Sequence, residues 1–410
     1  MTDSQRNQEY FPRLDQSPVA EDFVQDPYPF YARARALGDF FRWNDYDRIF
    51  ASSYRAVNGL LRDRRWGREI PEGHRPPVPD HLRTFMSIED DSMLEIDPPR
   101  HTALRNLVHR AFTPRQIDAL APRIRGLADK MAADFGEDEI DVLSAFGNRI
   151  PVIVIARLLG VPDGMADQLL AWSHDMVAMY QARRDPAIEV MADRAASEFS
   201  AYIENLACER TIQPADDLIS GLVKAEIDGR RLTPGEITST CILLLNAGHE
   251  ATVHTIGNGV KTLLEHCSEC ARTPSDFCSD ETIAGTVEEI LRYDPPLHLF
   301  DRYAKEDMLF LGKRFRSGDR VALLLASANR DPAAFGTDAD LFRPERRRNR
   351  HLSFGAGVHF CLGAQLARVE LAAALQALFG RHPNLKLSGS PAYADSYHFH
   401  GLETLYVRTR

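Results

Sequence analysis

Between His351 and Glu370 the chain reads HLSFGAGVHFCLGAQLARVE, and one thiol in it, Cys361, is placed to bind a metal. A short extended entry over His351–Phe354 is predicted to lead into a glycine-permitted loop. A helix is then predicted from Leu362 to about Phe379, on the apolar repeat Leu362, Leu366, Val369, Ala373, Leu375, Leu378. Cys361 thereby sits at or just before a helix N-terminus. There the orphan N–H groups of Leu362, Gly363 and Ala364 and the helix dipole favour negative charge. Such surroundings hold a thiol as thiolate, the form that ligates metal. Gly355 and Gly357 permit positive φ and let backbone approach a flat partner, and Gly363 leaves room on the helix side. A lone cysteine among apolar residues is more often a core thiol. The complete spacing Phe354-Gly-x-Gly-x-His-x-Cys361-x-Gly363 is what argues for ligation.

That spacing resembles the haem-thiolate loop of the cytochrome P450 superfamily. The resemblance implies haem b with the Cys361 thiolate as axial iron ligand, and it places Phe354, Gly355 and Gly363 around the cofactor. It also implies a mainly α cytochrome P450 fold, a large helical domain with small β-sheets. The whole chain, 1–410, is then one domain, with 1–20 as a flexible arm. The implied activity is insertion of one oxygen atom from O2 into a small organic substrate by hydroxylation, epoxidation or dealkylation, with electrons from a partner protein.

Further motifs follow in the family's order. His101 and Arg105 stand where the family grips a haem propionate, on a helix predicted over Thr102–Ala111. Their i, i+4 spacing puts both on one helix face, as a shared anionic partner requires. Thr233-Pro-Gly-Glu236 is a capping box that starts a long helix reaching about Glu265. Midway lies Asn246-Ala-Gly-His-Glu-Ala-Thr252, in which a mid-helix Gly248 costs about 1 kcal/mol against alanine and needs a reason. A ligand against the helix at Ala247 and Gly248 would supply one. The stretch is similar to the family's oxygen-activation motif, with Glu250 as the acid and Thr252 as the second threonine. Ala251 departs from it, occupying the position of the customary alcohol. Thr252, an ordered water next to Glu250, or a hydroxyl of the substrate could replace that group.

Glu289 and Arg292 form Glu-x-x-Arg, and with Arg346 they resemble the family's buried Glu–Arg–Arg triad. After Pro296 an extended strand is expected, with Arg302 as a second propionate arginine and His359 of the thiol loop as another propionate partner. Phe85, Leu243, Asn246, His298, Phe300, His398 and Phe399 are the expected substrate contacts. Asn246 and His298 favour a substrate with at least one polar group. Arg343, Arg346, Arg347, Arg348 and Arg350 crowd before the thiol loop. Together with Arg110 and Arg115 they read as a basic face for an acidic ferredoxin or flavodoxin.

The rest of the chain sets bounds. A net charge of −10 argues against a nucleic-acid role, and the polar N-terminus reads as neither signal peptide nor membrane anchor. The longest apolar run, Val321–Ala326, is far below the ~20 residues of a spanning helix, so a cytoplasmic, soluble protein is expected. Trp66–Met93, rich in Pro, Gly and Asp, reads as a long mobile loop with a helical turn near His81–Phe85. Two rival readings come from other classes. One is a haem-thiolate binding or sensor protein without efficient turnover, kept open by Ala251. The other is a zinc module on His266, Cys267, Cys270 and Cys278, weakened by the lack of a second CxxC pair.

Overall fold

The computed structural model describes residues 11–136, 139–180, 185–397 and 399–409. These fall into two compact units interleaved along the chain. One is drawn from Met1–Arg75, Gly257–Leu362 and Leu387–Leu405, the other from Pro76–Ile256, Gly363–Lys386 and Tyr406–Arg410.

The first unit carries a six-stranded sheet in the order Arg13–Leu14, Phe40–Trp43, Arg48–Ala51, Arg320–Leu324, Leu299–Ala304, Trp66–Gly67. Alternation over Phe40–Trp43 and Arg48–Ser52 predicts a short hairpin turned at Asn44-Asp45, and it forms, with Phe41 opposite Phe50. Its turn is a 3-10 turn at Asn44–Tyr46, closed by Asp47 at φ 47°. Successive residues serve opposite faces. Phe40, Ala51, Val321 and Leu323 enter one apolar cluster, while Phe41, Phe50, Ala322 and Leu324 enter another. Both faces are covered, which is why Val321–Leu324 is a continuous apolar run. The strand Leu299–Ala304 pairs antiparallel with it and sets Arg302 opposite Val321.

A buried ionic network fixes the chain leading to the thiol loop. Arg292, on the helix Ile283–Tyr293, grips Glu289 through Nε (2.8 Å) and Nη2 (2.7 Å), both side chains being fully buried. Its other N–H groups reach the carbonyls of Asn329 (3.0 Å), Ala339 (2.6 Å) and Leu341 (2.8 Å). Glu289 also accepts from the Arg343 backbone (2.7 Å), Arg346 Nε (3.3 Å) and Asn349 Nδ2 (3.0 Å). The expected triad is therefore formed, and each charge is satisfied.

The second unit is helical. Its long helix runs Pro234–Ser268, roughly 52 Å at 1.5 Å per residue, with the unit boundary falling within it at Ile256. The capping box is made as expected: Thr233 Oγ1 accepts from Glu236 N (3.1 Å) and Glu236 accepts from Thr233 N (3.0 Å). The helix with His101 and Arg105 spans Arg100–Ala111. Trp66–Met93 differs from the expected loop. It contributes the edge strand Trp66–Gly67 and a helix Arg83–Asp90 that packs on Pro186–Ile212, because Phe85 finds an apolar face to bury against. Among the described residues no helix is long and apolar enough to cross a membrane.

The helix after the thiol loop, Ala364–Arg381, packs on Pro114–Ala133 and buries Glu370, whose Oε2 has no hydrogen-bond partner among the described residues. Burial pushes this carboxyl well above the ordinary range, so it is held neutral.

Two buried acids thus predict opposite behaviour. Glu289→Ala or Arg292→Ala leaves an uncompensated buried charge and should cost about 3–5 kcal/mol of stability in chemical denaturation. Glu370 binds its proton more tightly folded than unfolded, so its contribution is full below the ordinary pKa of about 4.3 and is lost as pH rises. The melting temperature of Glu370→Gln relative to the parent should therefore climb between about pH 5 and pH 8. A pH-independent difference would contradict a neutral Glu370.

Candidate functional site

The segment 351–363 contains turns and no strand, so the extended entry expected at His351–Phe354 is not formed. Side chains claim its backbone instead: Leu352 N donates to Asn329 Oδ1 (2.7 Å), and Ser353 Oγ donates to the Leu291 carbonyl (2.5 Å). Gly355 and Gly357 take positive φ, 67° and 71°. A Cβ on Gly357 would sit 2.3 Å from the Leu61 carbonyl, so glycine is required there by the end of the helix Tyr54–Arg62. Cys361 N donates to the Phe354 carbonyl (2.9 Å), closing the turn, and the Cys361 thiol is half-buried and in no disulfide. The following helix begins at Ala364 with Gly363 as N-cap, two residues later than expected. A Cβ on Gly363 would meet nothing within 4 Å, which agrees with space left beside the loop. Phe354 and His359 are half-buried.

On the long helix, Leu243, Ala247 and Ala251 stand at i, i+4 and i+8, on one face. Ala247 is exposed and the other two are half-buried, although Ile242, Leu245, Asn246, Glu250, Thr252 and Val253 are buried. Small residues thus line one open stripe on an otherwise buried helix, as a flat ligand would need. Gly248 has a different reason from the one expected. A Cβ there would lie 2.9 Å from Ile155 Cδ1 on the helix Arg149–Leu159, so a larger residue would have to push that side-chain tip aside. The Thr252 hydroxyl donates to the Gly248 carbonyl (3.0 Å), a bond that commits it to its own helix. Asn246 is buried, with no partner for its Oδ1 among the described residues.

Glu250 meets three histidines. His174 Nε2 is 3.3 Å from Oε1, His249 Nδ1 is 3.8 Å from Oε1, and His254 Nε2 is 3.3 Å from Oε2. Burial alone would raise the Glu250 pKa. The hydrogen bond to His254 and the fields of His249, His254 and His174 outweigh it and hold the acid at about 2. Burial lowers His249 to about 4, so at neutral pH it is uncharged beside an ionised carboxylate. His254 was legible as the i+4 neighbour of Glu250. No local signal brings in His174, which lies on the helix Ala166–Val177.

The other expected contacts are distributed as follows. His101 is buried and Arg105 half-buried on one helix, where Arg105 Nε donates to His109 Nε2 (3.3 Å). Arg302 is buried, with Nη1 donating to the Asp301 carbonyl (2.9 Å). Phe300 is half-buried beneath the Arg68 guanidinium, and Phe399 is half-buried in a bridge to Leu297. Phe85 and His298 depart from the substrate-facing positions expected of them. Phe85 is 4% exposed within the helix packing, its N–H held by Asp193 Oδ1 at 2.8 Å. His298 is 0% exposed, so no cavity adjoins it. It belongs to a buried polar cluster, in which Tyr31 Oη lies 2.7 Å from its Nδ1 and its ring packs on His400. In the same cluster Tyr28 and Tyr393 donate to Asp294 at 2.7 and 2.6 Å. His398 lies outside the described residues. The zinc module is not assembled. Among the described residues the convergent donor groups are His174/His249/Glu250 and Asp294/His298/His400, while His266 packs between the Phe277 and Phe342 rings.

Of the arginines before the thiol loop, Arg346 is taken by the triad and Arg343 by Asp338. Arg347, Arg348 and Arg350 are exposed, as are Arg110 and Arg115.

Comparison with known proteins places this geometry among relatives. The cytochrome P450 family model matches residues 283–383. Over 403 aligned positions, 95% of this chain and 97% of the relative, the chain is 35% identical to the polyketide biosynthesis cytochrome P450 PksS of Bacillus subtilis. It is 36% identical to the cytochrome P450 monooxygenase PikC of Streptomyces venezuelae, covering 97% of this chain and 95% of that one. Among solved structures, P450BioI in complex with an acyl carrier protein ligated to hexadec-9Z-enoic acid matches with a TM-score of 0.87 at 33% identity. That match covers 94% of this chain and 99% of the other.

The turn around Cys361 predicts a sharp substitution effect. Gly357→Ala forces a side chain into a left-handed backbone and against the Leu61 carbonyl, and should cost at least ~1–3 kcal/mol. Thermal unfolding of the variant checks this; an unchanged midpoint would mean that the loop is free to move away from Leu61.

Proposed function

We propose that this chain, which belongs to the cytochrome P450 family of haem-thiolate monooxygenases, oxidises a small organic substrate that carries its own hydroxyl group. The observation that carries the reading is the half-buried Cys361 thiol, in no disulfide, on a turn closed by the Phe354 carbonyl and backed by Leu61. Each unit taken by itself has residues that suit a haem: a thiol donor in one, and in the other space beside Gly363 and an open stripe of small residues at Ala247 and Ala251. When bound, haem supplies the activation of O2 and the transfer of one oxygen atom. Cys361 sulfur would hold the iron as thiolate. His101, Arg105, Arg302 and His359 would be the donors for its propionates, as the family resemblance implies.

Proton delivery falls to Glu250. Half-exposed His174 would take protons from solvent at Nε2 and hand them to Glu250 Oε1, 3.3 Å away. The two helix positions after Glu250 offer no uncommitted hydroxyl, because Ala251 has none and Thr252 donates to Gly248. A hydroxyl of the substrate, with water, completes the path. Electrons arrive from a partner protein. The exposed Arg347, Arg348 and Arg350 support an acidic ferredoxin or flavodoxin, drawn by charge.

The reading is tested by the absorption spectrum of the dithionite-reduced protein under carbon monoxide. A strongly red-shifted Soret band, lost in Cys361→Ser, is expected; the ordinary haem–CO band in the parent would remove its chemical basis. Turnover tests the proton path. Glu250→Gln should slow it by about 10²-fold. With a substrate lacking its hydroxyl, product per NAD(P)H should fall in the parent and recover in Ala251→Thr.

A further inference from the structure

The donors around Glu250 can do more than relay a proton. One atom each from His174, His249 and Glu250 lies within 4.8 Å of the other two. All three sit on helices, Ala166–Val177 and Pro234–Ser268, so their backbones are fixed. His249 is 0% exposed, and neither ring nitrogen has a hydrogen-bond partner among the described residues. A fully buried imidazole with both nitrogens unpartnered is unfavourable and calls for a missing ligand. Packing alone does not use it.

We propose that His174, His249 and Glu250 form a binding site for a divalent transition metal of the zinc type. Two imidazole nitrogens and one carboxylate oxygen are a donor set that zinc accepts, leaving a fourth position for water. Zinc bonds of about 2.0–2.2 Å set tetrahedral donors ~3.3–3.5 Å apart. The distances of 3.3 Å from His174 and 3.8 Å from His249 to Glu250 Oε1 need only a small closure to meet that. His254, 3.3 Å from the other carboxylate oxygen, orients Glu250 from behind, as outer partners of metal ligands do. His174 has 52% of its side chain exposed, which gives the ion a route in. The site goes beyond the oxygenase reading. If Glu250 also delivers protons, bound metal withdraws that carboxylate and brakes turnover.

The test is calorimetric titration of the haem-loaded protein with ZnCl2 in chelator-free buffer, together with zinc-edge X-ray absorption. One saturable site is expected, with a shell of nitrogen and oxygen, imidazole scattering and no sulfur. His174→Ala removes a ligand from a half-exposed position and should weaken binding by more than about 100-fold; His254→Ala should weaken it ~10–100-fold. Cys270→Ser should leave it unchanged. The absence of a saturable site, sulfur in the zinc shell, or full affinity in His174→Ala would each overturn the proposal. Full affinity in that variant would move the ion to Cys267 and Cys270 or to Asp294, His298 and His400. Zinc titration needs no turnover, and the carbon monoxide spectrum reports the thiolate separately, so the two readings fail independently.

Discussion

The buried carboxylate of Glu289 is the constraint on which the thiol side of the molecule depends. Residues 336–363 contain a single 3-10 turn and otherwise no helix or strand, so no ladder holds them. Their backbone is held by side chains. Arg292 takes the carbonyls of Ala339 and Leu341, Arg346 takes those of Phe335 and Asp338, and Glu289 takes the Arg343 N–H. Asn329, whose carbonyl is bound by Arg292, passes the constraint on through its side chain to Leu352 and Ser353. Two residues later the glycine turn begins. A buried ionic set is a poor source of net stability, because desolvation offsets most of its attraction. Its use here is positional: it makes an irregular segment behave as a rigid one.

The acids of this protein show how surroundings decide what one functional group does. Glu289 is surrounded by donors and serves as a structural anchor. Glu370 is buried with no partner for its Oε2 among the described residues and is held neutral. Glu250 is buried too, yet three imidazoles keep it ionised, and one of them, His174, is half-exposed. Only the last combines a charge, a path to solvent and neighbours that exchange protons or share a metal. That combination supports the proposal that it is the reactive acid.

Small residues show the same dependence on context. Gly357 and Gly248 both occur in recognisable motifs, and both invite the reading that a ligand approaches. Each is explained by protein instead, by the Leu61 carbonyl and by Ile155. Gly363 is open beside the thiol loop, and midway along the long helix the alanines 247 and 251 are exposed or half-buried. The departure at Ala251 therefore acquires a physical content: it leaves room and removes a hydroxyl on the accessible face, while the neighbouring threonine hydroxyl is spent on its own helix.

Much of this was determined by the sequence alone, and the reason is range. The thiol loop, the Glu-x-x-Arg pair, the capping box at Thr233 and the hairpin at Asn44 depend on residues within a few positions of one another, where spacing dictates geometry. Helix existence was legible for the same reason, whereas the start at Ala364 and the helix Arg83–Asp90 were set by packing that periodicity does not encode. His298 read as a pocket residue because its strand was identified, but which way that strand would bury it depended on Tyr31, Tyr28 and His400, brought together from distant segments. His174 stands far from Glu250 in sequence, and no spacing rule joins them. Tertiary structure alone decided which histidines meet the reactive carboxylate, because burial and charge act between neighbours in space, whatever their separation along the chain.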